Sequence, residues 1–185
     1  YEWELGSRCR TTLNVTYNHL ARRTQVTGAT NNGTSDDALA ELTSYLSLSP
    51  RWTGLLGATY TKQTGAANHI ESATRPIPYY NENVFSAYAQ TAYHLIDPLK
   101  AHVGAQLIKF SSNDTNIVPR LGITYALTDE IGFKALYSKA FRAPSQSERF
   151  LVLNHPRRTA ALGNASLEPE TIGTVDLQAY HQSRR

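Results

Sequence analysis

Apolar and polar residues alternate with a period of two, in runs too long for most globular domains. Leu99, Ala101, Val103, Ala105 and Leu107 are apolar, and Lys100, His102, Gly104 and Gln106 lie between them. The same rule governs Phe85, Ala87, Ala89, Tyr93 and Leu95, then Leu121, Ile123, Tyr125 and Leu127. It returns in Ile131, Phe133, Ala135 and Tyr137, and in Val175, Leu177 and Ala179. Period two marks strands with one apolar face. Eight strands are expected, near 10–27, 38–48, 52–64, 83–95, 99–110, 118–127, 131–141 and 171–182. Short turns at Ser49-Pro50-Arg51, Ile96-Asp97-Pro98 and Thr128-Asp129-Glu130 alternate with long polar segments at 28–37, 65–82, 111–118 and 142–169.

Strands in globular proteins usually run about 5–6 residues. A tilted strand crossing a bilayer needs roughly 9–11, which is the length seen here. Long antiparallel strands, short turns on one rim and long loops on the other predict an all-β fold, a segment of an antiparallel transmembrane β-barrel. A mean hydropathy of −0.41 fits, because only alternate residues would meet lipid. Aromatics near strand ends (Tyr60, Tyr79, Tyr80, Phe85, Phe110, Tyr125, Phe141) suit interfacial girdles. A soluble β-sandwich also alternates, but strand length and loop rhythm count against it. No apolar run is long enough for a transmembrane helix. A net charge of +3 without a clustered basic face argues against nucleic acid as a partner. The lone Cys9 excludes an internal disulfide or a multi-cysteine metal site. The absence of methionine and the ending at Ser183-Arg184-Arg185 read as an internal piece of a longer protein.

Two motifs sharpen the reading. Phe141-Arg142-Ala143-Pro144-Ser145 follows the strand at 134–140, and Gly163-Asn164-Ala165-Ser166-Leu167-Glu168-Pro169-Glu170 follows some twenty residues later. Val84 to Gln90, Leu95 to Leu99 and Pro119 to Tyr125 precede both. This pattern resembles the barrel of TonB-dependent outer-membrane receptors, in which a strand ends in FRAPS and a GNPxLxPE box follows. Here Ala165-Ser166 replaces the usual proline and its neighbour. The resemblance is clearest over 83–182, and residues 1–82 carry no sharp motif. It implies that 1–185 is part of a 22-stranded barrel domain whose plug is absent from this chain. It implies a Gram-negative outer membrane, lipid around the wall, and energy delivered through TonB by the missing N-terminal region. The imported ligand would be a ferric siderophore, haem or cobalamin, with ferric siderophore the leading choice. No resident cofactor is implied.

Each candidate residue has a structural reading beside the functional one. Arg142 has lumenal parity and could pair with carboxylates of a plug or a neighbouring strand. Pro144 suits a strand exit, since it has no N–H for a ladder. Phe141 and Ala143 belong to the same exit, and Asn164, Leu167, Pro169 and Glu170 to the turn back into the next strand. Glu168 and Glu170 could hold a cation, but a solvated strand entry is simpler. The resemblance points to His155, between the two boxes, as an axial ligand should the cargo be haem. Arg157 and Arg158 beside it could meet an anionic siderophore or a lipopolysaccharide phosphate. Tyr79 and Tyr80 could contact a bulky ligand or anchor the interface. His94 and His102 share lumenal parity, but two histidines make a weak metal site without a third ligand. No metal site is assigned.

No nucleophile elbow, phosphate loop or zinc-protease motif is present, so no enzyme is expected. A passive porin-like small barrel remains the alternative from another class, since eight strands can close. A charge at Val103 or Leu121 should disturb a lipid-facing wall far more than a change at Gln106 or Thr124.

Overall fold

The computed structural model describes residues 1–26, 29–69, 73–75, 77–112, 114–155 and 158–182, with side chains described outside 24–31, 67–76 and 152–162. The strands are β1 (Glu2–Glu4), β2 (Cys9–Val26), β3 (Ala29–Ser49), β4 (Trp52–His69), β5 (Ala73–Arg75) and β6 (Ile77–Ile96). They continue with β7 (Leu99–Phe110), β8 (Thr115–Ala126), β9 (Ile131–Arg142), β10 (Val152–His155), β11 (Arg158–Leu162) and β12 (Glu170–His181). One short helix, α1 (Gln146–Phe150), follows β9. Nine strands form one antiparallel sheet in the order β1-β2-β3-β4-β6-β7-β8-β9-β12. Eight of them are long, as the alternation predicts, and β1 is a three-residue edge. The sheet is open, a segment of barrel wall. A separate sheet, β11-β10-β5, joins the loop before β6 to the loop before β12.

The register carries the alternation across the wall. Val103 lies opposite Leu121, Ile123 opposite Ala135, and Tyr137 opposite Val175. These residues are exposed, and Val103 and Leu121 are each 51% exposed although both sit mid-strand. Among the described residues only Ala92 and Val118 are buried and apolar. The sheet therefore has no core of its own, and its apolar face requires cover. On β7 the outward residues are exposed while their neighbours are half-buried, from Val103 to Phe110. Side chains inside a curve crowd one another, so the polar parity is the concave side.

Aromatics border the apolar face. Trp52 and Tyr93 pair edge-to-face near the short-turn rim, with centroids 6.4 Å apart. Tyr60 and Phe85 pair on the same face eight positions higher on β4. Eight residues at ~3.4 Å each span roughly 27 Å along the strand. Tilted by about 40°, that gives roughly 20 Å of height, close to the ~25 Å apolar band of such barrels.

The concave side is knit by tyrosines lying over glycines. A Cβ on Gly57 would land on the Tyr88 ring. The bare glycine lets Tyr88, on β6, reach across β4 to β3. There its hydroxyl lies 2.7 Å from Thr43 Oγ1 and donates to Glu41 Oε1 at 3.1 Å. Tyr180 covers Gly132 in the same way. Gln106 Nε2 donates to the buried Ser86 hydroxyl at 2.7 Å.

Several expectations change. Residues 29–37 and 65–69 continue β3 and β4 rather than forming loops, and β6 begins at Ile77. β2 ends at Val26 and β3 starts at Ala29, so short and long connections do not alternate strictly. In 29–37 and 65–69 polar residues fall at both parities, so the alternation is lost while the ladder continues. Tyr80, opposite Gly65, has concave parity and is not a girdle residue, whereas Phe110 packs edge-to-face on Phe141 with centroids 5.8 Å apart.

Candidate functional site

The two motif boxes meet at the long-loop end of β9 and β12. Glu170 is the first residue of β12 and lies opposite Arg142, the last of β9. After Pro144 the chain enters α1 through a capping box. Ser145 Oγ accepts from Glu148 N at 3.3 Å, and Ser145 N donates to Glu148 Oε2 at 2.7 Å. Such a box satisfies two otherwise orphaned donors at a helix start. It also fixes Glu148 where Arg142 can reach it.

Arg142 binds both carboxylates. Its Nη1 and Nη2 donate to Glu148 Oε2 and Oε1 at 2.9 and 3.1 Å, a bidentate fork. Its Nε donates to Glu170 Oε2 at 3.3 Å, and Nη2 lies 3.2 Å from Glu170 Oε1. The guanidinium thus ties strand exit, helix and strand return together. Hydrogen bonds from Arg142 and from the Ser145 backbone and hydroxyl lower the Glu148 carboxyl to about 2. The same two carboxylates, Glu148 first, raise Arg142 above its ordinary value. The second box closes on the helix. Asn164 N donates to Glu148 O at 2.9 Å and Gly163 N to Leu151 O at 2.8 Å. A Cβ on Gly163 would sit 2.8 Å from Phe150 N, so this close approach requires glycine. Asn164 Oδ1 accepts from Ser166 N at 2.9 Å and shapes the turn into β12.

α1 reaches over the concave side. Gln146 and Ser147 line a hollow with Leu20, Arg22 and Tyr80, residues of the strands across the curve. Arg149 Nη1 donates to Ser112 Oγ at 3.4 Å. Ser112 N and Ser111 Oγ in turn donate to Glu82 Oε1, at 3.0 and 2.7 Å. Burial pushes the Glu82 carboxyl up, but the bonds from Ser112 and Ser111 outweigh it and leave the group below its ordinary value. Gln146 Oε1 and Arg149 Nε are enclosed with no hydrogen-bond partner among the described residues. Beyond α1, β10 pairs with β5, Val152 opposite Arg75 and Leu153 opposite Ala73. The loop after β9 and the loop before β6 are thereby one unit.

Lower down, the concave face holds a hollow of about 470 Å³ lined by Gln90, His102, Arg120, Thr124, Lys134 and Asp176 among others. Lys100 and Lys134 flank Thr124 on the two neighbouring strands, so cations outnumber Asp176 there.

Of the motif residues, Arg142 and Glu170 thus meet in one ion cluster with Glu148, Asn164 closes on the helix beside it, and Ala143, Pro144, Leu167 and Pro169 lie along the chain between. Glu170 is engaged by Arg142, and among the described residues no group of three or more His, Cys, Asp or Glu side chains could hold a metal. His94 and His102 share the concave face two rungs apart, opposite Lys100 and Ala92 respectively. Tyr79 and Tyr80 point to opposite faces of β6. Tyr79 is 70% exposed, while Tyr80 lies over Gly65, its hydroxyl pushed up by burial and by Asp37. Arg157 lies outside the described residues. For His155 and Arg158 the side chains are not described, and their backbones pair at the β10–β11 end. Glu148 is the residue that sequence reasoning missed. Its signal was the capping-box spacing Ser145-x-x-Glu148.

Comparison with known proteins places this geometry. The family described as TonB dependent receptor-like, beta-barrel matches residues 1–180. Heme/hemopexin utilization protein C of Haemophilus influenzae is 36% identical over 76 residues, 36% of this chain and 10% of that protein. A ferric enterobactin receptor of Pseudomonas aeruginosa, solved in complex with enterobactin, superposes with a TM-score of 0.71 at 18% identity. That match covers 98% of this chain and 31% of the receptor. The siderophore receptor PirA of Acinetobacter baumannii gives 0.67 at 18% identity, over 95% of this chain and 30% of that one. The chain spans about a tenth of the curated relative and about a third of these structures.

Proposed function

From the premise that this chain belongs to the TonB-dependent receptor-like β-barrel family, we propose that residues 1–185 are part of the barrel of a Gram-negative outer-membrane importer. The importer takes up a ferric siderophore with energy supplied through TonB. It binds and transports, and catalyses nothing. The observation that carries this reading is the division of the sheet: an exposed apolar face bordered by Trp52/Tyr93 and Tyr60/Phe85, backed by a concave polar face. Lipid outside and a polar interior satisfy both faces. Arg120, Lys134 and Lys100 make the concave face attractive to an anionic ferric complex or to plug carboxylates. The solved siderophore receptors of the same architecture support the ligand class. Above the wall, α1 and the β5-β10-β11 sheet form part of the capture surface. There Arg142 acts as the anchor, and Tyr80, Arg157 and Arg158 are candidate contacts.

Haem is the second reading. The haem-utilization relative favours it, and so does His155, which ends β10 between the two boxes. Uptake by the full-length receptor decides between them, in cells lacking other receptors, with and without TonB. Ferric siderophore uptake that requires TonB is the expected result. Haem uptake alone establishes the second reading, and loss of that uptake in His155→Ala would assign the ligand. TonB-independent diffusion of small solutes refutes both and favours a porin.

A further inference from the structure

The register of β7, β8, β9 and β12 sets three levels of side chains on the concave face. Lys100, Thr124 and Lys134 form the level nearest the short-turn rim. Two residues higher lie His102, Gly122, Leu136 and Asp176, and two higher again Arg120 and Ser138. Gly122 is buried, has no side chain and stands at the centre of this array, and the hollow of about 470 Å³ opens over it. Three cations therefore surround the hollow against the one carboxylate of Asp176. None of the three has an ion-pair partner among the described residues, whereas Arg10, Arg51 and Arg142 are each paired with a carboxylate. Lys134 Nζ stands instead 5.2 Å from the centroid of the Tyr180 ring, which steadies the ammonium at the lower end. Thr124 and Ser138 add a hydroxyl at the lower and upper levels.

A cation facing an enclosed interior is costly unless an anion or water meets it. Spacing says which kind of anion suits the set. Lys100 and Lys134 flank Thr124 on the two neighbouring strands, so their backbones are about 10 Å apart at ~4.8 Å per strand. Arg120 is four residues from Thr124 along β8, about 14 Å nearer the long-loop end at ~3.4 Å per residue. One fixed carboxylate would be held by a single guanidinium fork. Cations at successive heights instead pass an anion from one to the next, and divided binding lets it leave as well as enter.

We propose that Arg120, Lys134 and Lys100 form an anion-binding site on the inner wall, below the capture surface, for a multiply charged anion in transit. The inference rests on the reading of the sheet as the wall of an importer. Its test places a single thiol in the hollow of the full-length receptor, Thr124→Cys in a cysteine-free background, with Ser138→Cys as a second reporter. Labelling rates are compared for an anionic sulfonatoethyl and a cationic trimethylammonioethyl methanethiosulfonate, each relative to a free thiol. A cleft lined by one sign of charge concentrates counter-ions by about tenfold or more, so the anionic reagent should be favoured by at least that factor. Adding Arg120→Gln/Lys134→Gln/Lys100→Gln should abolish the preference, whereas Lys62→Gln on the outward face should keep it. Inorganic pyrophosphate should slow labelling only while the three cations are present. Equal rates for the two reagents overturn the site, since that is the result if carboxylates of the receptor's own interior already neutralise it. So does a thiol unreactive at both positions, or a folded triple variant that keeps the preference. Heat-modifiable migration and TonB-dependent uptake test the importer reading separately. An inserted barrel whose uptake ignores TonB sinks that reading and the transit role together, whereas a TonB-dependent importer without anionic preference sinks the site alone.

Discussion

Leu121 and Leu136 give a matched test of which face meets lipid. They sit on neighbouring strands, and Leu121 pairs with Tyr137, the residue next to Leu136. Leu121 points outward at mid-band, opposite Val103, and is 51% exposed. Leu136 points into the concavity opposite Asp176 and is 43% exposed. The two leucines are therefore alike in type, height and accessibility, and differ in face. Lysine at position 121 would carry its charge near the middle of the hydrocarbon, with no carboxylate among its cross-strand neighbours. That costs about 2–4 kcal/mol at the midplane, or roughly a 30- to 700-fold shift in the folding equilibrium. Lysine at position 136 would face water and Asp176, would lose the contact of a leucine methyl over Gly122 and would join the cations Arg120 and Lys134 of the same hollow. Its cost should stay under about 1 kcal/mol, the range of solvent-facing substitutions and cross-strand pairs. Reversible urea unfolding of the full-length receptor in lipid vesicles, followed by tryptophan fluorescence, measures both. Equal costs, or a larger cost at Leu136, would refute the assignment of faces and the membrane reading with it.

Arg142→Lys keeps the charge but cannot reproduce the bidentate fork on Glu148 while holding Glu170. Limited proteolysis should therefore cut within 143–169 faster in this variant, and faster still in Arg142→Ala, with barrel stability little changed. The pH dependence of that loop follows from Glu148, whose carboxyl falls from an ordinary 4.5 to about 2 when folded. A lowered carboxylate stabilises above its unfolded value and loses its effect as pH falls through the folded one. Protease protection should thus hold from neutral pH to about 5 and collapse between 4.5 and 2. Protection that fades between pH 7 and 6 would contradict the Arg142 anchor. Gly57→Ala should displace the Tyr88 ring and cost about 1–3 kcal/mol by overpacking. Tyr88→Phe should cost only the hydroxyl's bonds to Thr43 and Glu41, about 0.5–1.5 kcal/mol, by the same unfolding measurement.

The wall was legible because a membrane strand writes its environment into every second residue. Leu99 to Leu107 and Ile131 to Tyr137 keep that pattern throughout, and their registers follow it. On the membrane reading, the pattern stops where lipid would stop. Asn31, Asn32, Gly33, Asp36 and Asp37 read as a polar loop, yet their backbones continue the ladder with β2. The helix was legible in principle, since Ser145 and Glu148 have capping-box spacing in a segment taken as loop. Tyr88 over Gly57 was not, because neither residue signals the other across a strand connection.

What the sequence hid most completely is the join between the two long loops. β5 and β10 lie nearly eighty residues apart and meet through two backbone rungs, Val152–Arg75 and Leu153–Ala73. A ladder of main-chain bonds constrains backbone shape and leaves side-chain identity free, so it prints little into the sequence. The Arg142 cluster does the reverse, since a guanidinium between two carboxylates admits few substitutes. The anchored base of the loop is therefore fixed by chemistry, while the joined strands above it remain free to vary in side chain. A receptor needs that separation. A ligand-facing surface can change its contacts from one cargo to another only if its attachment to the wall does not depend on those contacts. The siderophore and haem readings proposed above rest on different contacts, the concave cations Lys100, Arg120 and Lys134 for the one and His155 for the other, and share the Arg142 anchor.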